Sequence, residues 1–253
     1  MLEAIKSIVL EAGKIVLAAE DISAKTEEKN GAADLVTAYD TAVEQFLREK
    51  LMDLLPDALF YGEETAKLGD PEQGWVFIVD PIDGTTNFVR GLSQSAISVA
   101  LAKDGVVEYG VVLDPCKHEL FSAQRGKGAY LNDRPIRVSD RPLEKGIFGM
   151  GTAIYNREFD ERTLSVTAQL FKRSCDFRRM GAAALDLCYV AAGRYDAFFE
   201  FSLAPWDFAA GSLVLTEAGG NLCTMEGEPL RFVRCGIWAG NRVNFPILKE
   251  LEF

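Results

Sequence analysis

Two aspartates three residues apart, Asp80 and Asp83, follow an apolar run and lead into a Gly-Thr-Thr turn. Residues 76–79 are β-branched or aromatic, which predicts a buried strand with Asp80 at its carboxyl end. Hard cations such as Mg²⁺ bind carboxylates together with phosphate oxygens. Gly84 allows close backbone approach, and Thr85 starts a helix whose free N–H groups face an anion. The segment is therefore either a metal-and-phosphate site or an ordinary Asp-Gly turn.

Further carboxylates stand at the ends of predicted elements. Glu63 and Glu64 follow the apolar run at 59–62, and Asp207 follows the turn at 204–206 in the first turn of a predicted helix. Taken alone, the glutamates indicate a solvated loop and Asp207 a helix cap. Four converging carboxylates would repel one another unless metal ions neutralised them. The pattern leaves both interpretations open.

Periodicity predicts the elements that would position these residues. Residues 2–19 and 43–54 have the apolar spacing of amphipathic helices, with a loop at 25–39 between them. Apolar runs separated by turn signals predict an antiparallel meander over 95–124. From about residue 147 strands alternate with helices, so the fold class is α/β (mixed α+β). The predicted later elements are the strand GIFGMG, helices near 158–173 and at 181–192, the strand YDAFFEF, a helix at 207–218 and the strand CGIWAG.

Composition narrows the function classes. The chain has 27 Lys and Arg against 38 Asp and Glu, so its net charge is −11. This negative charge disfavours a nucleic-acid partner. If the substrate is phosphorylated, metal cations would have to balance its negative charge in the site. No apolar run is long enough to span a membrane, and five cysteines without a C-x-x-C pair support neither a disulfide framework nor a zinc site. We expect a reduced, cytoplasmic protein. His118 is the single histidine, which excludes His-dyad phosphatases.

Five segments along the chain carry a recognisable pattern: KNGAADLVTAYD (29–40), GEE (62–64), WVFIVDPIDGTTNF (75–88), RRMGAAALDLCYVAAGRYDAFFE (178–200) and WDFAAGSLVLTEAGG (206–220). Together, and in this order, they resemble the inositol monophosphatase family of Mg²⁺-dependent, Li⁺-sensitive sugar phosphatases. The resemblance implies one domain over residues 1–253, a layered αβαβα sandwich with an N-terminal lobe to about 141 and a C-terminal lobe from about 142, and a homodimer.

The resemblance also implies roles for individual residues. Two or three Mg²⁺ ions would be held by Glu63, Asp80, the Ile82 carbonyl, Asp83 and Asp207. Catalysis would involve Glu63, Thr85, Asp83 and Asp207, with Thr85 and Glu63 positioning the attacking water. Substrate contacts would come from Asp83, the N–H groups of Gly84 and Thr85, the Ala183 backbone, Glu200 and Asp207. A mobile loop would contribute Lys29, Asp34 and Asp40.

The implied reaction is hydrolysis of a small phosphate monoester by metal-activated water, with myo-inositol monophosphate as the expected substrate. Ala182 and Ala204 replace side chains that relatives use, which would relax or redirect specificity. The alternatives are a fructose-1,6-bisphosphatase or dual-specificity sugar phosphatase, a 3′-phosphoadenosine 5′-phosphate phosphatase, and a non-catalytic regulatory binding module. An aspartyl-phosphate mechanism is disfavoured, because it requires a second Asp two residues after the first, whereas Asp80 and Asp83 are three apart. A cysteine-phosphatase mechanism is also disfavoured, because Cys188 lies inside a predicted helix rather than in a phosphate-binding loop.

Overall fold

Two β-sheets alternate with helical layers in the computed structural model, which describes residues 1–28, 35–65, 69–154 and 156–251. The helices are α1 (Leu2–Leu17), α2 (Ala38–Leu54), α3 (Thr85–Val89), α4 (Asp160–Phe171), α5 (Ala183–Ala191), α6 (Pro205–Glu217) and α7 (Phe245–Leu248). The strands are β1 (Thr26–Glu28), β2 (Leu35–Thr37), β3 (Leu59–Gly62), β4 (Trp75–Asp83), β5 (Ala96–Lys103), β6 (Val106–Asp114), β7 (Glu119–Gln124), β8 (Ala129–Leu131), β9 (Arg134–Ile136), β10 (Ile147–Met150), β11 (Asp176–Arg178), β12 (Ala197–Leu203), β13 (Asn221–Thr224) and β14 (Cys235–Gly240).

The first sheet has the strand order β3-β4-β5-β6-β7-β8-β9 within the described residues. Strands β3 and β4 are parallel, and each later neighbour is antiparallel, so the predicted meander is confirmed. Helices α1 and α2 cover one face. Their apolar stripes, including Ile5 and Leu47, pack against alternate residues of β4 such as Phe77 and Val79. The two predicted N-terminal helices are therefore confirmed.

Helices α5 and α6 fill the space between the two sheets. Val76 and Ile78 project from the other face of β4 into a core shared with Phe208 of α6 and Phe198 of β12. The second sheet has the order β11-β10-β12-β14-β13, with β11, β10 and β12 parallel. Its outer face packs on α4 and α7 in a separate core that contains Trp238. This succession is the αβαβα sandwich, as expected.

Some short elements differ from the sequence-based prediction. The segment read as a loop at 25–39 contains β1 and β2, which pair antiparallel. Strands β11 and β13 and helix α7 were also not predicted. Each is three or four residues long, so its own sequence carries too little periodicity to identify it. Partner strands stabilise β11 and β13, and α7 packs against β14. Among the described residues, no helix is both long and apolar enough to cross a membrane. The lobe boundary near residue 141 stays a prediction.

Candidate active site

The carboxyl end of β4 carries the first two acidic residues in an irregular stretch of strand. Asp80 faces Ser98 of β5, whereas Asp83 faces Ala96, so three steps on β4 match two on its neighbour. This bulge lets β4 continue through Pro81 to Asp83, three residues beyond the strand end that the sequence predicts at Asp80. Asp80 is 1% exposed and Asp83 8% exposed. The sheet thus holds both carboxylates in its buried interior.

Gly84 and Thr85 form the turn that follows β4. Gly84 has a φ of +85° and precedes the short helix α3, as predicted. The Thr85 Oγ1 lies 3.0 Å from the Ile82 carbonyl oxygen and 3.2 Å from Asp40 Oδ1. A hydroxyl has one proton to donate, so its remaining lone pairs can accept a proton from a water molecule.

Asp83 connects this turn to α5 in the middle layer. Its Oδ1 accepts the Ala183 N–H at 3.2 Å, and its Oδ2 accepts the Ala184 N–H at 2.8 Å. Both donors belong to the first turn of α5, where backbone N–H groups lack helical partners and the helix dipole favours an anion. The structure therefore places Ala183 beside Asp83 and uses its N–H for that contact.

Asp207 is the third residue of α6, and it acts as a helix cap. Its Oδ2 accepts the Ala204 N–H at 2.6 Å, and the Asp207 and Asp80 side chains lie within hydrogen-bonding reach of each other. Trp206, which precedes it, is 6% exposed. Asp207 thus both caps a helix and contacts the acidic end of β4.

Glu63 and Glu200 approach the same place from two other strands. The Glu63 N–H, just after β3, donates to the Val79 carbonyl at 3.2 Å. Glu200 lies on β12, where its Oε1 accepts the Ala153 N–H at 3.0 Å. The charges of Glu63 and Glu200 both raise the pKa of Asp83. Glu63, Asp80, Asp83, Asp207 and Glu200 therefore surround one site.

Burial and mutual repulsion make these acids weak. Burial, and then the charges of Glu63, Asp83 and Asp207, raise the pKa of Asp80 well above its ordinary value. Burial is also the main cause that raises the pKa of Asp83, Glu200 and Asp207 to about 7 in each case. In Asp207 the charge of Asp83 adds to that effect. The cluster therefore cannot ionise fully at neutral pH without cations nearby.

The donor set fits hard divalent cations in its chemistry. Every predicted ligand is a carboxylate or carbonyl oxygen, which Mg²⁺ prefers over nitrogen and sulfur. As the side chains stand, no group of three or more His, Cys, Asp or Glu in the described ranges is arranged to hold an ion. Asp83 and Asp207 point oxygens at backbone N–H groups, but a carboxylate has about four lone-pair sites. Both carboxylates therefore keep lone pairs for a cation, and the metal roles stay predictions.

Helix α2 contributes two further carboxylates. Asp40 is buried, and its Oδ2 accepts the Thr37 N–H at 2.8 Å in a capping box. Glu44 is equally buried and was missed. The sequence signal was available, because Glu44 falls on the apolar stripe of α2 one turn after Asp40. The other two residues of the predicted mobile loop, Lys29 and Asp34, lie outside the described residues.

Two curated relatives differ in what their names describe. The chain is 40% identical over 214 residues to Nus factor SuhB of Escherichia coli (strain K12), covering 84% of this chain and 80% of that protein. It is 41% identical over 222 residues to inositol-1-monophosphatase of Rhizobium meliloti (strain 1021), covering 87% and 84%. One name states a phosphatase and the other does not. The expectation that no nucleic acid is a partner therefore stays a prediction.

Solved structures share the fold over almost the whole chain. The native extragenic suppressor protein suhB from Bartonella henselae matches with a TM-score of 0.91 and 35% identity, covering 98% of this chain and 96% of that one. Inositol monophosphate-bound SaIMPase-II matches with a TM-score of 0.84 and 28% identity, covering 99% and 93%. The 2′AMP-bound SaIMPase-II matches with a TM-score of 0.82 and 31% identity, covering 96% and 90%. Two of these three neighbours are thus named with a phosphorylated small molecule bound.

A family model spans the chain from end to end. The model of the inositol monophosphatase family matches residues 1–252, which include every strand and helix described above. The relatives and solved structures agree with that match over more than four fifths of the chain. The chain belongs to the inositol monophosphatase family.

Proposed function

We propose that this protein is a Mg²⁺-dependent, Li⁺-sensitive phosphomonoesterase that hydrolyses small phosphorylated polyols or sugars, with myo-inositol monophosphate as its preferred substrate. The observation that carries the proposal is the buried group Asp80, Asp83 and Asp207, whose raised pKa values call for cations. Membership of the family supports a phosphatase. The relative named inositol-1-monophosphatase supports the substrate. We further expect a cytoplasmic homodimer.

Five groups of this chain would hold the ions: the side chains of Glu63, Asp80, Asp83 and Asp207, and the Ile82 carbonyl. Bound Mg²⁺ supplies Lewis-acid chemistry, which neutralises phosphoryl charge and makes water a better nucleophile. The backbone N–H groups at the turn after β4 would hold phosphate oxygens. No side chain of the protein has to form a covalent intermediate.

Thr85 orients the attacking water through a short proton path. Its Oγ1 can donate to Asp40 Oδ1, which is the carboxyl oxygen among its two acceptors. The hydroxyl oxygen then faces the water as a hydrogen-bond acceptor, and Glu63 binds the same water from the end of the neighbouring parallel strand β3. The direction of the Thr85 hydrogen bond therefore fixes which way the water presents its lone pair.

We assign Asp207, ionised once Mg²⁺ is bound, to hold the water molecule that protonates the leaving alkoxide. Without bound cations the pKa of Asp207 is raised to about 7, mainly by burial, and the buried Trp206 beside it limits water access. Glu200 lies on the same side, where it would bind the hydroxyl groups of the alcohol. Arg179 and Arg234 partly offset the negative charge there, since both lower the pKa of Glu200.

Phosphate release from myo-inositol 1-phosphate tests the proposal. We expect Mg²⁺-dependent release that falls at least about 100-fold in Asp80→Asn and in Asp207→Asn, because each change removes an anionic oxygen. Asp53→Asn is the matched control, since Asp53 is an exposed aspartate on α2. Release that persists in both site variants would refute the site assignment. Indifference to Li⁺ would count against the lithium sensitivity.

Two findings define the competing functions. The 2′AMP-bound neighbour favours nucleotide monophosphates as competing substrates. Their kcat/KM values should be compared with those for inositol phosphates, fructose 1,6-bisphosphate and 3′-phosphoadenosine 5′-phosphate. The relatives named Nus factor SuhB favour a factor role that needs no catalysis. If that role operates here, Asp80→Asn will preserve it while abolishing phosphate release.

A further inference from the structure

We infer that Glu44 is a positioning residue for Glu63, and that helix α2 fixes the spacing between Glu63 and Thr85. The inference rests on the proposed function, in which those two residues orient the attacking water. Glu44 is 1% exposed, and Asp40, one helical turn earlier, is 0% exposed. Charged side chains are rarely buried this completely without a specific role.

Glu44 binds the chain immediately after Glu63. Its Oε2 accepts the Glu64 N–H at 2.9 Å, and the Thr65 hydroxyl and N–H lie close enough to lower the pKa of its carboxyl. A hydrogen bond to a carboxylate is stronger than one to a neutral acceptor, so this contact holds the segment firmly. Glu44 therefore fixes the backbone on the carboxyl side of Glu63.

Gly62 shows that Glu44 also packs against the other side of Glu63. A Cβ atom added at Gly62 would lie 2.4 Å from Glu44 Oε2 and 2.6 Å from its Cδ, closer than real Cβ atoms approach. The Glu44 carboxylate thus occupies the space that any side chain at the end of β3 would need. Because both neighbours of Glu63 contact Glu44, the direction in which Glu63 leaves the strand depends on it.

Asp40 connects the same helix face to the other water-positioning residue. Residues four apart lie one above the other on a helix, so Asp40 and Glu44 point in the same direction. Asp40 reaches Thr85 at 3.2 Å, while Glu44 reaches the segment after Glu63. The capping box at Thr37 and the buried stripe of α2 keep the helix rigid. One helix therefore sets the distance between the two groups.

An unpaired oxygen argues against a purely structural role. Glu44 Oε1 is buried and has no hydrogen-bond partner in the part of the chain that the structure describes. Such a group costs stability, and an apolar side chain of similar size would avoid that cost. Local violations of this kind are expected where a residue serves a site rather than the fold.

The test separates positioning from stability with variants of Glu44. Glu44→Gln keeps an acceptor oxygen for the Glu64 N–H. Glu44→Leu keeps a side chain of similar volume but removes the acceptor oxygen. Glu49→Gln is the control, because Glu49 is exposed on the same helix. Each protein is titrated with Mg²⁺ while its thermal unfolding midpoint is followed, which needs no turnover, and kcat and KM are then measured at saturating Mg²⁺.

We expect Glu44→Leu to fold and to raise the Mg²⁺ concentration for half-maximal stabilisation about 10- to 100-fold, as the loss of a residue that holds a metal ligand in place does. It should lower kcat more than it raises KM, whereas Glu44→Gln stays within about threefold of the wild type and Glu49→Gln is unchanged. If Glu44→Leu does not fold, Glu44→Asp replaces it, because the charge is kept and only the reach is shortened.

Suppose that Asp80→Asn abolishes the stabilisation by Mg²⁺. A folded Glu44→Leu or Glu44→Asp variant with the wild-type Mg²⁺ midpoint and kcat would then overturn the inference about Glu44 and leave the proposed function standing. A wild-type protein that responds to Mg²⁺ neither in stability nor in phosphate release would overturn the proposed function as well. The two failures are therefore distinguishable.

Discussion

Individual site residues serve the fold and the site at the same time. Asp207 was open to interpretation as a helix cap or as a metal ligand, and the structure shows the cap without excluding the ligand, since one oxygen binds the Ala204 N–H. Asp83 likewise binds the amides of Ala183 and Ala184. A substitution at either position therefore changes stability as well as chemistry, and activity loss has to be read against a measurement of folding.

Gly84 offers the sharpest residue-scale test, because two requirements coincide there. Its φ is +85°, and an added Cβ would lie 2.9 Å from the Gly181 carbonyl oxygen and 3.0 Å from that of Gln94. We predict that Gly84→Ala lowers the free energy of unfolding by more than about 2 kcal/mol, since backbone strain and overpacking add. Urea unfolding monitored by circular dichroism measures it.

Gly91 provides the matched control for this prediction. Its φ is +66°, but an added Cβ would meet no atom within 4 Å. Gly91→Ala should therefore cost only the backbone term, about 1 kcal/mol. Equal losses in the two variants would show that close packing at Gly84 contributes nothing.

At the scale of elements, helix α3 is short, and the hydrogen bonds of one of its side chains hold it in place. The helix has five residues, Thr85–Val89. Asn87 is buried, and its Nδ2 donates to the Gln94 carbonyl at 2.8 Å and to the Met180 carbonyl at 2.7 Å. One amide group thus connects the turn after β4 to the loop that leads into α5.

Replacing that amide by a carboxylate tests the connection. Asn87→Asp loses both donors and places charge beside two carbonyl oxygens, so we expect a loss of about 3 kcal/mol near neutral pH. Burial should raise the pKa of the new carboxyl, so the protonated form persists at lower pH and restores one donor. The loss relative to wild type should therefore shrink at about pH 5, as urea unfolding at both pH values will show.

Asn132→Asp is the control for this substitution. The Asn132 Nδ2 also donates to a carbonyl, that of His118, at 3.0 Å, but the site is exposed. Water can solvate the carboxylate there, so the loss should be below about 1 kcal/mol and nearly independent of pH. A similar loss at both positions would contradict the role that we give to burial.

Elements with strong local patterns were predictable, and those made by distant partners were not. The periodicity of α1, α2 and β4 is visible in the sequence because each has one or both faces buried. Short strands such as β11 exist only through pairing with β10. The positions of the acidic residues at element ends left open whether they converge, and only the family resemblance implied a shared site. The contact of Asp83 with α5 has no local signal, and Glu44 lies in a segment predicted only as an amphipathic helix.

The whole molecule combines a net charge of −11 with a buried acidic site in its middle layer. Asp83, Asp207 and Glu200 each have a pKa of about 7 in the folded protein, against about 4 in an unfolded chain. Between those values the folded state binds more protons than the unfolded state. The free energy of unfolding therefore falls as pH rises from about 4 through about 7.

Metal-free protein should show this dependence directly. We predict that, with a metal chelator present, the Tm falls by several degrees between about pH 5.5 and about pH 8. Each kcal/mol lost from the free energy of unfolding lowers the Tm of a chain this size by about 2–4 °C. Excess Mg²⁺ should flatten the trend, because bound cations favour the ionised carboxylates. Scanning calorimetry at both pH values measures it, and a Tm that rises with pH in chelator would contradict the prediction.

The hydrogen bonds from α5 to Asp83 join residues 100 and 101 positions apart in the chain. We expect contacts of such separation to close late in folding, after the first sheet and α5 have both formed and met. A partly folded chain with the first sheet alone would contain Asp80 and Asp83 but lack the α5 amides and Asp207. An ion or phosphate bound at the complete site therefore stabilises the native state more than the folding transition state. Its effect falls on the unfolding rate, so ligand extends the lifetime of the folded protein without making it fold faster.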